Sequence, residues 1–82
     1  MSRYHLQHGK GTYAYGYDRP LREYFLQRHT PRKNGYPKVT DLVGSLTGKG
    51  YGTNYELLAA ITRLKLVVPD DHLLAIESDL PF

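Results

Sequence analysis

Eighty-two residues with a formal net charge of +3 and no cysteine suffice for one domain built on a single thin apolar core. That length leaves no room for a nucleotide domain beside a substrate domain, and the lack of thiols excludes disulfides and thiolate metal sites. Charge is uneven along the chain: residues 1–55 carry nine Lys/Arg against three acids, +6, and residues 56–82 carry two against five, −3, a split that suits one face to an anionic partner.

The opening "MSRYHLQHGKG" has no apolar h-region, so no signal peptide is expected. The apolar stretches fall short of the roughly 20 residues of a membrane span, and a cytoplasmic location is the expectation. "RYHLQH" suggests a first strand, joined through Gly9-Lys10-Gly11 to "TYAYGYD". The latter alternates, with Tyr13, Tyr15 and Tyr17 on one face and Thr12, Ala14 and Gly16 on the other. "REYFLQRH" reads as the next strand, with Arg22, Tyr24, Leu26 and Arg28 opposite Glu23, Phe25 and Gln27. Between them "YDRPL" has turn chemistry, since Asp18 can bond the local backbone and Pro20 fixes its own φ. A hairpin over about residues 12–29 follows. An edge left exposed at 12–17 would permit dimerisation.

Beyond it "TPRKNGYPK" turns the chain with Pro31, Asn34-Gly35 and Pro37. Val39–Val43 predicts a short strand, weakened by Asp41 and Gly44, and residues 44–53 are glycine-rich. "TNYE" is a capping box, Thr53 accepting from the Glu56 amide while Glu56 reaches back. Leu57, Leu58, Ile61 and Leu64 recur at helical spacing, predicting a helix to about Leu66. Pro69 suits the first position of a second helix, and Asp70-Asp71 suit its dipole. Leu73, Leu74, Ile76 and Leu80 supply its apolar side until Pro81. The expected fold is α+β, one domain over 1–82: 1–43 mainly β and basic, 53–80 two helices. A small antiparallel sheet of two to four strands has one face covered by the helical hairpin.

"GSLTGKGYGTNYE" (44–56) looks like a phosphate-binding loop. A Walker A loop needs four residues between its glycines and a hydroxyl residue after Gly-Lys, because its amides wrap phosphates and the hydroxyl holds magnesium. Here three residues intervene and Gly50 replaces the hydroxyl residue, so the nucleotide reading fails. What survives is Lys49 and a helix N-terminus for an isolated phosphate of a nucleic acid, against the plain alternative of a mobile loop. His5 and His8 point to opposite faces of a strand, and no H-x-x-x-H or Cys/His cluster exists, so no metal or other cofactor is expected. His29 beside Arg28 and Arg32 invites comparison with ribonuclease chemistry, but no spacing supplies a second acid–base group.

Basic and aromatic residues interleave more tellingly. Tyr13, Tyr15, Tyr17 and Tyr24 with Arg19, Arg22 and Arg28 would form a sheet face that stacks bases and contacts phosphates. Tyrosines on one face also pack under helices, and the two readings divide by face. Thr12, Ala14 and Gly16 would let a helix approach closely, leaving the tyrosines free; a small core also wants those rings. The turn "RHTPRKNGYPK" gathers Arg28, Arg32, Lys33 and Lys38, able to bind phosphate backbones without reading sequence, or simply a solvated loop.

"AYGYDRPLREYFLQ" (14–27), "TNYELLAAI" (53–61) and "DLPF" (79–82) together resemble small bacterial proteins carried by plasmids, phages and other mobile elements. Chains of this kind include the anti-CRISPR proteins, compact inhibitors that block a CRISPR surveillance complex. The resemblance implies a binding protein and assigns no site residue. Many anti-CRISPRs that occupy a DNA channel are acidic, so this basic chain departs from that pattern. It would use its acidic helices against the channel or touch guide RNA and DNA with its basic half. The expectation is a non-enzymatic interaction protein, an inhibitor of a nucleic-acid-handling complex in its sharpest form. Its partner would be a protein or ribonucleoprotein complex, with no membrane and no small-molecule substrate. The alternative is a small basic module binding DNA or RNA through the Tyr/Arg sheet face.

Overall fold

A computed structural model of the chain describes every residue except 1, 10, 34, 46 and 47; Lys10 of the first connection and Asn34 of the third therefore lie outside the described residues. Four strands, β1 (Tyr4–His8), β2 (Gly11–Asp18), β3 (Glu23–Thr30) and β4 (Lys38–Val43), precede α1 (Asn54–Leu64) and α2 (Asp70–Glu77). The strands form an antiparallel meander in the order β1-β2-β3-β4. This is the α+β architecture that the alternating patterns followed by helical periodicity require.

Register sets the two faces of the sheet. Tyr4, Tyr15 and Leu26 align across β1–β3, as do Leu6, Tyr13 and Arg28, and Tyr17 pairs with Tyr24. All of these share the face that meets the helices. The expectation that the small residues admit a helix and free the tyrosines is therefore reversed: Tyr13 is 5 % exposed, Tyr15 2 % and Tyr24 2 %, and Tyr17 is half-buried. Thr12, Ala14 and Gly16 offer almost no apolar surface, whereas rings fill the space between a sheet and Leu57, Ala60, Ile61 and Ile76. Close approach at Gly16 does occur, but the N-terminal segment makes it. The Ser2 carbonyl lies where a Cβ on Gly16 would stand, the Ser2 amide donates to the Tyr17 carbonyl at 3.1 Å, and the Tyr17 amide donates to Ser2 Oγ at 3.0 Å. Because β1 and β3 flank it, β2 has no free edge, and the dimerisation expected there is replaced by pairing within the chain.

The opposite face carries polar side chains, as one face of an antiparallel sheet can. Arg3 Nη2 donates to Gln27 Oε1 at 2.9 Å, and Gln27 Nε2 donates to Asp41 Oδ1 at 2.9 Å. Asp41, expected to weaken the fourth strand, is absorbed by this chain of bonds. A bulge opposite Leu26 and Gln27 leaves Leu42 as the extra residue, and both Leu42 and Val43 pack against the core.

The first helix is capped as expected at Thr53, whose Oγ1 accepts from the Glu56 amide at 3.2 Å. It stops at Leu64 rather than Leu66 because Lys65 turns left-handed, φ 56°, which frees Leu66 and Val68 to enter the core. Pro69 caps α2 from just outside, and the helix ends at Glu77. Its buried residue is Ile76 alone, while Leu74 and Leu80 are exposed, so the expected apolar stripe is narrower than its leucines suggest. His72 takes part of that role: its ring lies 4.2 Å from Tyr4 and 5.2 Å from Phe82, and its Nδ1 shares a 2.8 Å hydrogen bond with the Tyr15 hydroxyl. The Tyr24 hydroxyl donates to the Leu80 carbonyl at 3.0 Å and lies 3.3 Å from Asp79 Oδ1.

Burial, with Tyr4 and Asp71 nearby, pushes the Tyr15 phenol up to about 12. Burial together with the charge and hydrogen bond of Asp79, then Tyr17, does the same for Tyr24, up to about 12. In the unfolded chain a phenol ionises near ~10. The folded state thus keeps two protons that the unfolded state releases, so their contribution is full below pH ~10 and is lost as pH rises toward ~12. Urea midpoints should fall between pH 9 and 11.5, and fall less steeply in Tyr24→Phe; a flat profile would contradict the burial of these phenols.

Candidate functional site

Antiparallel register sorts the predicted cations into two groups. His8 pairs with Gly11, Thr12 with His29 and Thr30 with Lys38, so the β1–β2 and β3–β4 connections share one end of the sheet. Arg28, Arg32, Lys33 and Lys38 gather there, and residues 28–38 contain no acid. Arg19 and Arg22 occupy the opposite end, in the turn where the Leu21 amide bonds Asp18 Oδ1 at 3.4 Å and Arg22 adopts φ 53°. Lys49 is exposed and bridges by its backbone to Gly44, past the end of β4. Tyr13, Tyr15, Tyr17 and Tyr24 are committed to the core, so the sheet face does not supply a stacking platform.

At the basic end the core face opens into a hollow of about 440 Å³ lined by His8, Gly9, Gly11, Tyr13, Arg28 and Thr30. Its floor exists because Gly11 has no side chain between His8 and the next strand. The stem of Arg28 crosses that floor, Cγ and Cδ lying 3.6 and 3.9 Å from where a Gly11 Cβ would stand. The His8 ring meets Tyr13 edge-on at 6.3 Å. Arg28 Nε is enclosed and has no hydrogen-bond partner among the described residues, an unmet donor of a kind that folded proteins seldom keep. No described residue lining the hollow carries a carboxylate. Tyr36, in the adjoining basic turn, is 90 % exposed.

Sequence reasoning weighed His8 only as a metal ligand and passed over Gly11, Thr30 and Tyr36. A glycine facing a histidine across a hairpin was the available signal. The structure does not bring His29 together with Arg28, because strand neighbours point to opposite faces; His29 Nε2 is enclosed without a partner among the described residues. Nor, among the described residues, do three or more His, Asp or Glu stand close enough to hold a metal. Among the described residues, no helix is long and apolar enough to cross a membrane.

The glycine-rich loop has a different occupant from the one its sequence suggests. The Tyr51 amide donates to both oxygens of Glu56 at 3.0 and 3.1 Å, and the Gly52 amide donates to Glu56 Oε2 at 3.3 Å. Glu56 therefore supplies, within the chain, the anion that these amides and the helix N-terminus favour. The reciprocal half of the capping box is made one and two residues early, to Gly52 and Tyr51 rather than Thr53. A phosphate at this loop would have to displace that carboxylate. Against protein families, characterised proteins and solved structures alike, the chain finds no match.

Proposed function

We propose that this chain is a non-enzymatic interaction protein that engages a nucleic-acid-handling complex, with the basic end of its sheet turned toward the nucleic acid. An anti-CRISPR-like inhibitor encoded by a mobile element is the sharpest form of this reading. The observation that carries it is the convergence of Arg28, Arg32, Lys33 and Lys38 on one end, beside a hollow with no carboxylate among its described lining residues. Cations gathered at one pole steer an anionic partner and add affinity by releasing its counterions. The acidic residues Asp70, Asp71, Glu77 and Asp79 belong to α2 and the segment after it, leaving the helical side for protein contacts of opposite sign.

A second reading, a small module that binds DNA or RNA directly, is favoured by Tyr36. An exposed ring among phosphate-binding cations is the combination that holds single strands. It replaces the sheet tyrosines in that role. The experiment is co-purification of tagged chain from a bacterial lysate, with and without nuclease, for the native sequence and for Arg32→Ser/Lys33→Ser/Lys38→Ser. Recovery of a nucleic-acid-bearing complex that nuclease treatment and the triple variant each reduce roughly tenfold is expected. Equal recovery by the triple variant would reject the basic end as the surface.

A further inference from the structure

The geometry points to the hollow at His8, Gly11, Tyr13, Arg28 and Thr30 as a seat for one phosphate group, entered by a nucleic-acid strand lying along the basic turn. This rests on the reading of the basic end as nucleic-acid-facing. Three features converge. Arg28 lines the hollow and is half-buried, with its Nε enclosed and unpartnered among the described residues, so an incoming oxyanion meets the guanidinium head beyond Nε, a group that gives two nitrogens to one oxyanion. The stem is laid across Gly11 within 3.6 Å of its missing Cβ, so the charged head is positioned by packing. Thr30 and His8 line the same space, and a hydroxyl and an imidazole are side chains able to donate to the remaining oxygens. At about 440 Å³ the hollow falls within the roughly 300–1,000 Å³ of small-ligand sites, which leaves space for the sugar attached to the phosphate.

The neighbouring cations divide the work. Arg32, Lys33 and Lys38 are exposed and act at long range on successive phosphates, with strong dependence on salt. Arg28 is half-buried and acts on one phosphate at short range, where salt screens less. Losing Arg28 therefore differs in degree from losing a turn lysine. Each makes the salt slope shallower by the ~0.7 of one phosphate contact, but losing Arg28 costs more affinity at a fixed salt concentration because its hydrogen bonds to the phosphate go with the charge.

The test is a nitrogen–proton correlation spectrum of the full chain, following the Arg28 Nε–Hε signal and the backbone amides. One arm adds inorganic phosphate against sodium chloride of matched ionic strength, and the other adds a six-nucleotide single strand. Both probes should move Arg28 Nε–Hε and the amides of His8, Gly9 and Gly11 saturably, the oligonucleotide at concentrations at least tenfold lower. Arg28→Gln should weaken both by roughly tenfold or more. Gly11→Ala guards against a folding artefact, since its methyl meets neighbours no closer than 3.4 Å; it should leave the spectrum folded and weaken phosphate. An unmoved Arg28 Nε–Hε in a folded spectrum with either probe overturns the seat. Oligonucleotide binding that shifts only residues 31–38 and survives Arg28→Gln also overturns it, while leaving the basic-end reading intact. Phosphate seating without any oligonucleotide binding supports the seat and rejects that reading.

Discussion

Gly52→Ala should lower the unfolding free energy by about 3 kcal/mol, with about 1–2 kcal/mol from the left-handed backbone and the rest from crowding. Gly52 sits at φ +70°, and an added Cβ would lie 2.7 Å from Glu23 Cβ and 3.0 Å from the Tyr24 carbonyl oxygen. Neither neighbour is free to yield. Glu23 is buried and accepts from the Ser45 hydroxyl, and the Tyr24 amide donates to the Gly52 carbonyl at 2.7 Å. The glycine thus clips the loop onto the start of β3, and through Tyr51 and Gly52 it aims the amides at Glu56. For a chain of this length total stability is about 4–12 kcal/mol, so the loss is a large share. Gly48→Ala is the control: φ +74° with nothing within 4 Å of the new methyl, costing about 1–2 kcal/mol of backbone strain alone. Urea denaturation should separate the two variants at an unchanged m-value. Equal midpoints would mean that the loop does not rest on β3.

Ile76→Ala should cost about 3–4 kcal/mol, within the span of about 2–5 kcal/mol for deleting a buried isoleucine side chain. Ile76 has no exposed surface and is the buried residue of α2, and its carbonyl accepts from Asn54 Nδ2 at 3.0 Å. One side chain therefore anchors the helix that delivers His72 to Tyr15 and Phe82 to the tyrosine rings. With few other apolar contacts, α2 has little to hold it once the cavity is made. Leu74→Ala, two residues away and 64 % exposed, should stay within about 0.5 kcal/mol of the parent. Thermal unfolding distinguishes them, and similar midpoints for both variants would show that Ile76 is not the anchor.

How much of this was legible in the residues depends on what each pattern encodes. Alternation in 12–28 states which side chains share a face, and the register agrees. It does not state which face is covered, and the small residues at 12, 14 and 16 argued for the wrong one. The deciding quantity was volume: only the tyrosine side could fill the gap beneath the helices. The capping box was readable because its two partners are three residues apart; Glu56 reaching back to Tyr51 and Gly52 was not, since it needs the loop's positive-φ glycines to aim the amides. Likewise the charge of residues 28–38 is plain in one dimension. The hollow is not, because it requires His8, Gly11 and Thr30, drawn from three strands, to meet across a position without a side chain.

The most direct test of the account is a titration of fluorescent single-stranded DNA and RNA across a range of salt concentrations. It compares the native chain, Arg32→Ser/Lys33→Ser/Lys38→Ser at one end of the sheet, and Arg19→Ser/Arg22→Ser at the other. The account predicts binding whose log K falls with log salt, a slope shallower by roughly 2 in the triple variant at about −0.7 per lost phosphate contact, and near-native behaviour in the double variant. No binding by the native chain at low salt, or equal losses at both ends, would contradict a nucleic-acid-facing basic end.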